Sequence, residues 1–328
     1  MINRRSFIAT STAASVSLAA PTLLQARTTG PGISLPDWAY GQNSFTDDTS
    51  LMFRGNSAHT FYGTGPINDN PQLKWRFETT AYKTRSGSYW SGTGWTGTAA
   101  KLGDYVFFGS TGGSVYALNA ETGKLGWQYK KGAMYKGSVC LYKNRVYVPN
   151  VDDRLRCLDA ETGKLIWQHN TGKDLDSSPC VVDGRLYIAG ENGSTRCLDP
   201  DTGKIIWKTF TGGIGGGSKL GSNGSETSPA VHDGRVYIAN YFGELWCLRA
   251  SDGKKLWKAN TGDDTDASVV VSGDYIYAAA EEKSPNVYCF DRITGERVWI
   301  YKNRAAFFST PAVVGDRLWI GSDDRNLH

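Results

Sequence analysis

A tryptophan closes the same short block again and again along this chain. It stands at Trp127, Trp167, Trp207, Trp257 and Trp299, separated by 40, 40, 50 and 42 residues. Two adjacent copies read Asp159-Ala-Glu-Thr-Gly-Lys-Leu-Ile-Trp167 and Asp199-Pro-Asp-Thr-Gly-Lys-Ile-Ile-Trp207. Trp75, in Leu73-Lys-Trp-Arg-Phe77, repeats the last strand of the block alone. A fixed period of this length means one supersecondary unit copied in series, and it must be read before any single motif.

Each unit parses into four short strands. In the clearest copy they are residues 178–182, 185–189, 194–198 and 204–209. Asp183-Gly184 is a tight-hairpin signal between the first two. Thr202-Gly203 lies in the turn before the fourth, where Gly supplies positive φ without steric cost. No helical stretch of useful length interrupts the units. A four-stranded sheet cannot bury both of its apolar faces alone. Stacking several sheets face to face around an axis covers the faces and protects the edges. The sequence therefore predicts an all-β propeller of four-stranded antiparallel blades, about six of them visible. Trp75, Trp127, Trp167, Trp207, Trp257 and Trp299 are expected to wedge between blades. Gly123, Gly163, Gly203, Gly253 and Gly295 are expected in the adjoining turns. An indole buries ~200 Å², worth several kcal/mol at ~25 cal/mol per Å².

The block resembles the repeat of the PQQ-like β-propeller family, which includes quinoprotein dehydrogenases and the non-enzymatic outer-membrane assembly factor BamB. The resemblance spans about residues 71–328 and implies that the Ala, Thr, Gly and Trp of each block dock neighbouring blades. Pro200 and Arg292 replace the Ala, and Asp252 the Thr. Rings of this family usually have seven or eight blades. Residues 309–328 supply two strands and the start of a third, so pairing them with the strand around Trp75 would close a six-bladed ring. The sequence, ending inside a strand pattern, favours instead a truncated part of a seven- or eight-bladed ring.

The first 26 residues read as a twin-arginine signal peptide. Asn3-Arg4-Arg5-Ser6-Phe7-Ile8 precedes an uncharged stretch, and Leu24-Gln25-Ala26 offers a cleavage site. That predicts a periplasmic or secreted protein with no membrane span in the mature chain. Residues 27–70 lack the repeat and are expected as an extended segment on the propeller surface. The formal charge is +4, of which Arg4 and Arg5 supply two. So small a balance argues against nucleic acid as a partner.

Function is expected on the loops between units, which vary while the Thr-Gly turns repeat. The loop 82–95 holds Arg85, Tyr89, Trp90 and Trp95; 212–226 is Gly-rich and ends at Glu226. The others carry Tyr135 and Lys136, Asp174 and Asp176, Asp264 and Asp266, and Phe307 and Phe308. Together these predict a polar rim with exposed aromatics, suited to a protein or other macromolecular partner. Catalytic equipment is missing. The four His show no metal-ligand spacing and no nucleophile elbow is present. Asp174 with Asp176, or Asp264 with Asp266, offers hard oxygen ligands for Ca²⁺, yet no metal is predicted. The six Cys fall at two repeat positions separated by an intervening strand, too far apart for bridges within a blade. Quinoprotein dehydrogenases typically carry an adjacent Cys-Cys pair, often with a Cys-x-x-Cys-His haem site; neither occurs here. The expectation is a non-catalytic binding or assembly scaffold without a cofactor. The alternatives are a quinone-dependent oxidoreductase using PQQ with Ca²⁺, and carbohydrate binding through Trp90, Trp95 and Tyr135.

Overall fold

The computed structural model describes residues 32–36, 49–60, 69–79, 82–83, 89–90, 97–131, 133–213, 224–281 and 283–328. Among them every regular element is a strand. Five four-stranded antiparallel sheets follow one another along the chain. Blade 1 comprises Ala100–Leu102, Tyr105–Gly109, Ser114–Asn119 and Leu125–Lys130. Blade 2 comprises Cys140–Tyr142, Arg145–Asn150, Arg154–Asp159 and Leu165–Asn170. Blade 3 has Cys180–Val182, Arg185–Ile188, Ser194–Leu198 and Ile205–Phe210, within two residues of the strands expected from sequence. Blade 4 has Ala230–His232, Arg235–Ala239, Glu244–Arg249 and Lys255–Asn260; blade 5 has Val270–Ser272, Tyr275–Ala279, Asn286–Asp291 and Arg297–Lys302. Ala312–Val314 and Arg317–Trp319 form a two-stranded start of a further unit. No hydrogen bond joins residues 71–79 to residues 312–328 among the described residues.

One row of side chains crosses each blade and fixes its interior. In blade 3 the row is Cys180, Tyr187, Cys197 and Trp207, each directly opposite the next. Blade 2 repeats it with Cys140, Tyr147, Cys157 and Trp167. A tyrosine thus stands between the two Cys of a blade, and all six Cys are free and buried. Burial pushes their thiols above the ordinary range, so they behave as small apolar residues rather than nucleophiles. Tyr187 and Trp207 hold their rings 6.0 Å apart, Tyr147 and Trp167 5.8 Å.

The same two rings reach into the next blade. Trp167 Nε1 donates to Pro200 O at 3.0 Å, and the Tyr147 hydroxyl donates to that carbonyl at 3.1 Å. Trp207 and Tyr187 share Ala250 O in the same way, at 2.9 and 3.3 Å. Trp75 and Trp127 donate to Ala120 O and Ala160 O. Against Trp75, Trp127, Trp167, Trp207 and Trp257 lies the glycine of the next turn. At Gly203, with φ +69°, an added Cβ would sit 2.7 Å from the Trp167 ring. The position therefore needs Gly for its backbone and for its lack of a side chain. The turn closes on itself, since Asp199 accepts from the Thr202 amide and hydroxyl, both at 2.7 Å. Arg292 is the exception among the acceptors. Its carbonyl takes only the Tyr237 hydroxyl, and the buried Trp257 Nε1 is left without a partner.

A second set of links runs between the blades' first strands. The amide of Thr98 donates to the Ser138 hydroxyl, Ser138 to Ser178, Ser178 to Ser228, Ser228 to Ser268 and Ser268 to Thr310. These bonds measure 2.8 to 3.0 Å. Every one connects equivalent positions two residues before a first strand.

Residues 49–60 depart from the expected extended surface segment. They turn along the first strands and satisfy edge amides that would otherwise stay unpaired. Lys101 N and Leu141 N donate to Ser50 O and Leu51 O, both at 2.7 Å. Val231 N and Val271 N donate to Ser57 O and Ala58 O. Leu51 and Met52 join the cores of the blades they touch. His59 is buried beside them with Nδ1 2.7 Å from Val269 O, and burial pushes its pKa down to about 4.

Candidate functional site: the carboxylate-lined end

The connections enter each blade in one register. Four residues before the first strand stand Lys136, Asp176, Glu226, Asp266 and Phe308. The turn between second and third strands comes up against the connection of its own blade. Glu191 N bonds Asp174 O, Tyr241 N bonds Gly224 O, and Glu281 N bonds Asp264 O. Connection and turn together present Asp174, Asp176, Glu191, Glu226, Asp264, Asp266 and Glu281 at one end of the blades. Against these carboxylates stands Lys136.

Two groups are tight. The carboxylate oxygens of Asp176, Glu191 and Glu226 lie within 4.8 Å of one another, and so do those of Asp264, Asp266 and Glu281. Burial raises Asp176 to about 7, with Glu226 and Glu191 adding to the shift against the pull of Lys136. Lys136 itself rises: burial lowers it, and its contact with Asp176 outweighs that. The two partners thus pull in different directions. We take the pair as ionised, because a direct ammonium–carboxylate hydrogen bond is the charge-assisted kind. Asp176 Oδ1 remains buried without a partner. Burial also raises Asp264 to about 7, with Glu281 beside it. Asp266 and Glu281 are both raised, by burial first, and then chiefly by Glu226 for Asp266 and by Asp266 for Glu281. The Tyr241 hydroxyl donates to Glu226 at 2.7 Å, and burial with that carboxylate raises it further. The end is a strained anionic surface: half-desolvated carboxylates repel one another, and any cation entering relieves them.

Several expected rim residues fall elsewhere. Tyr135 is fully buried in the core of blades 1 and 2, with its Cβ packed against Gly109. Phe307 is fully buried too. Both sit one residue before the ring position, and the connection alternates like a strand, so neighbours point opposite ways. Leu175 and Thr265, at the same place, are buried likewise. Phe308 is exposed. Arg85 and Trp95 lie outside the described residues. Tyr89–Trp90 pair with Tyr82–Lys83 as a short hairpin whose side chains are not described. Sequence reasoning missed Glu191, Tyr241 and Glu281. They sit eleven residues after the start of each first strand, and only that register could have found them.

The family model described as the outer membrane protein assembly factor BamB matches residues 69–301. This chain belongs to that family. A comparison with curated protein sequences finds no match. Among solved structures, BamB from Moraxella catarrhalis is similar with a TM-score of 0.62 at 21% identity, covering 69% of this chain and 70% of that one. The quinohemoprotein alcohol dehydrogenase of Comamonas testosteroni gives 0.61 at 18%, covering 78% of this chain and 49% of the enzyme. This family member thus spans about half the enzyme's length. A europium-containing methanol dehydrogenase gives 0.62 at 15%, covering 78% of this chain and 58% of that one. At these identities the likeness is one of fold.

The dehydrogenase neighbours of this BamB-type family member raise PQQ as a ligand, and the described residues do not fit it. The quinone is a planar tricarboxylate, and the connection end of the described blades is already crowded with carboxylates. Among the described residues the charges of opposite sign there include Lys136, which is engaged with Asp176, and Lys173, which acts on Asp174. The separate, buried Cys give no adjacent pair to lie against a flat ring. No helix among the described residues is long and apolar enough to cross a membrane.

Proposed function

We propose that this chain is an exported, non-catalytic binding scaffold, and that its carboxylate-lined end receives a basic segment of a protein partner. Supporting this reading is one observation: among the described residues seven carboxylates are gathered on a rigid frame and outnumber the lysines beside them, several raised in pKa by burial and mutual repulsion. A surface of one sign in partly desolvated surroundings attracts and orients the opposite charge. The blades supply the rigidity, and the connections supply the individuality. On this reading the twin-arginine start directs the chain to the periplasm or outside the cell, with residues 1–26 removed, 27–70 preceding the repeats and 71–328 forming the propeller. BamB, an outer membrane protein assembly factor, is the relative whose kind of role this resembles.

The test is fluorescence anisotropy with a labelled Lys/Arg-rich decapeptide. Saturable binding that weakens steeply with salt is expected, with a tenfold or greater loss in the triple variant Glu226→Gln, Asp266→Asn, Glu281→Gln. Equal binding of an acidic peptide defeats the reading. So does uptake of PQQ with Ca²⁺ accompanied by dye-linked alcohol oxidation.

A further inference from the structure

Blades 4 and 5 are copies that differ at one groove. In blade 4, Glu244 stands opposite Asn260 and Trp246 opposite Lys258 across the third and fourth strands. Lys258 pairs with Glu244. Lys255 and Lys258 also lie over the Trp246 ring, 5.8 and 5.2 Å from its centre. One of the two cations there is paired with a carboxylate, and both sit over an indole.

Blade 5 keeps the backbone and changes the side chains. By register, Asn286 replaces Glu244, Tyr288 replaces Trp246, Arg297 replaces Lys255, Ile300 replaces Lys258 and Lys302 replaces Asn260. The carboxylate and the large indole are gone together. In their place is a cavity of about 630 Å³, whose lining includes Lys283, Arg297, Lys302, Tyr288, Asn286 and, from blade 4, Asn260. The lining holds three cationic side chains and no carboxylate. Among the described residues, Arg297 and Lys302 have no ion-pair partner, and Lys283 reaches only Asp263, at 4.0 Å. Asn286 is fixed in the wall, donating to Ser284 Oγ at 3.1 Å and to Tyr288 Oη at 2.9 Å.

We propose that this groove binds a small sugar carrying an oxyanion such as sulfate, phosphate or carboxylate. Arg297 and Lys302 hold the anion, the guanidinium as a planar fork and the ammonium as a point charge. The amide-lined wall meets the hydroxyls. The lining has the opposite sign to the carboxylate end, so its ligand is a different one.

The experiment is isothermal titration calorimetry at low salt on the whole exported chain. The probes are a heparin-derived sulfated disaccharide, inorganic sulfate, and lactose as the neutral control. Saturable binding of the sulfated disaccharide is expected, with sulfate weaker and lactose without effect. Arg297→Gln with Lys302→Gln, both exposed positions, should weaken binding at least tenfold, and Lys255→Gln in blade 4 should leave it unchanged. Equal binding of lactose overturns the proposal. So does a loss with Lys255→Gln equal to that of the blade 5 pair, which would mean diffuse attraction to surface charge. No saturable binding of either sulfated probe by the folded wild-type chain overturns it as well.

Discussion

Two rings of residues, two positions apart in sequence, enter the same blades and carry opposite lessons. The position two before each first strand is Ser138, Ser178, Ser228, Ser268 and Thr310, always a hydroxyl, and each accepts an amide from the preceding unit. The position four before is Lys136, Asp176, Glu226, Asp266 and Phe308: one cation, three carboxylates and one aromatic. The backbone geometry is shared, so the difference is not architectural. A site that every copy fills alike joins copies together. A site that the copies fill differently is free to recognise something else.

Breaking a constant position should therefore cost stability, and the largest effect belongs to the indoles. Trp207 is buried, donates to Ala250 O and packs on Gly253. Trp207→Ala should lower the unfolding free energy by about 3–5 kcal/mol, read by urea denaturation. Trp299 occupies the same repeat position but is 40% exposed, with no turn glycine against it among the described residues. Trp299→Ala should cost less than half as much. Equal losses would mean that the inter-blade contact contributes nothing beyond the Trp's place in its own sheet.

The hydroxyl ring comes next. Ser178→Ala leaves the buried Ser138 amide without its acceptor, at about 1–3 kcal/mol. Glu226→Gln, at the variable position nearby, should cost less or stabilise, because it removes one member of a repelling group. A larger loss at Glu226 than at Ser178 would reverse the contrast between the rings.

A finer contrast lies within the constant set. Trp207→Phe forfeits a hydrogen bond, about 0.5–1.5 kcal/mol. Trp257→Phe forfeits none, since its Nε1 is unpaired, and should be neutral or stabilising. The sequence flagged the cause, Arg292 at an Ala position, but not the consequence. That depends on the Tyr237 hydroxyl being the sole donor to the Arg292 carbonyl.

The same boundary separates what the sequence made legible from what it hid. Strands, turns and the Trp period were readable because they are local: Asp183 and Gly184 both adopt positive φ, as their hairpin requires. The carboxylates of the connections were readable as a rim. Glu191, Tyr241 and Glu281 were not, because they join the rim from another turn through strand register. Tyr135 and Phe307 were misread because an aromatic residue in a loop resembles an anchor until the alternation of the chain shows which way it points. The segment 49–60 carries no repeat at all. Its partners are backbone amides, which are invisible in side-chain patterns.

The smallest effect is a pH dependence, and it tests whether the variable ring is strained. Asp264 has a folded pKa of about 7 against an ordinary 3.8, so the folded state holds a proton that the unfolded chain has released. Stability from this group is present at low pH and is lost as pH rises through about 7. His59 acts oppositely: its folded pKa of about 4 lies below the ordinary 6.5, so its contribution is lost as pH falls through that interval and is flat above it. The window from about pH 6.5 to 8 therefore isolates the carboxylates. Across it the unfolding midpoint of the wild type should fall, and Asp264→Asn should flatten the fall. A midpoint that rises with pH in that window would mean that the carboxylates are well solvated or already paired, and the contrast between a joining ring and a recognising ring would lose its electrostatic half.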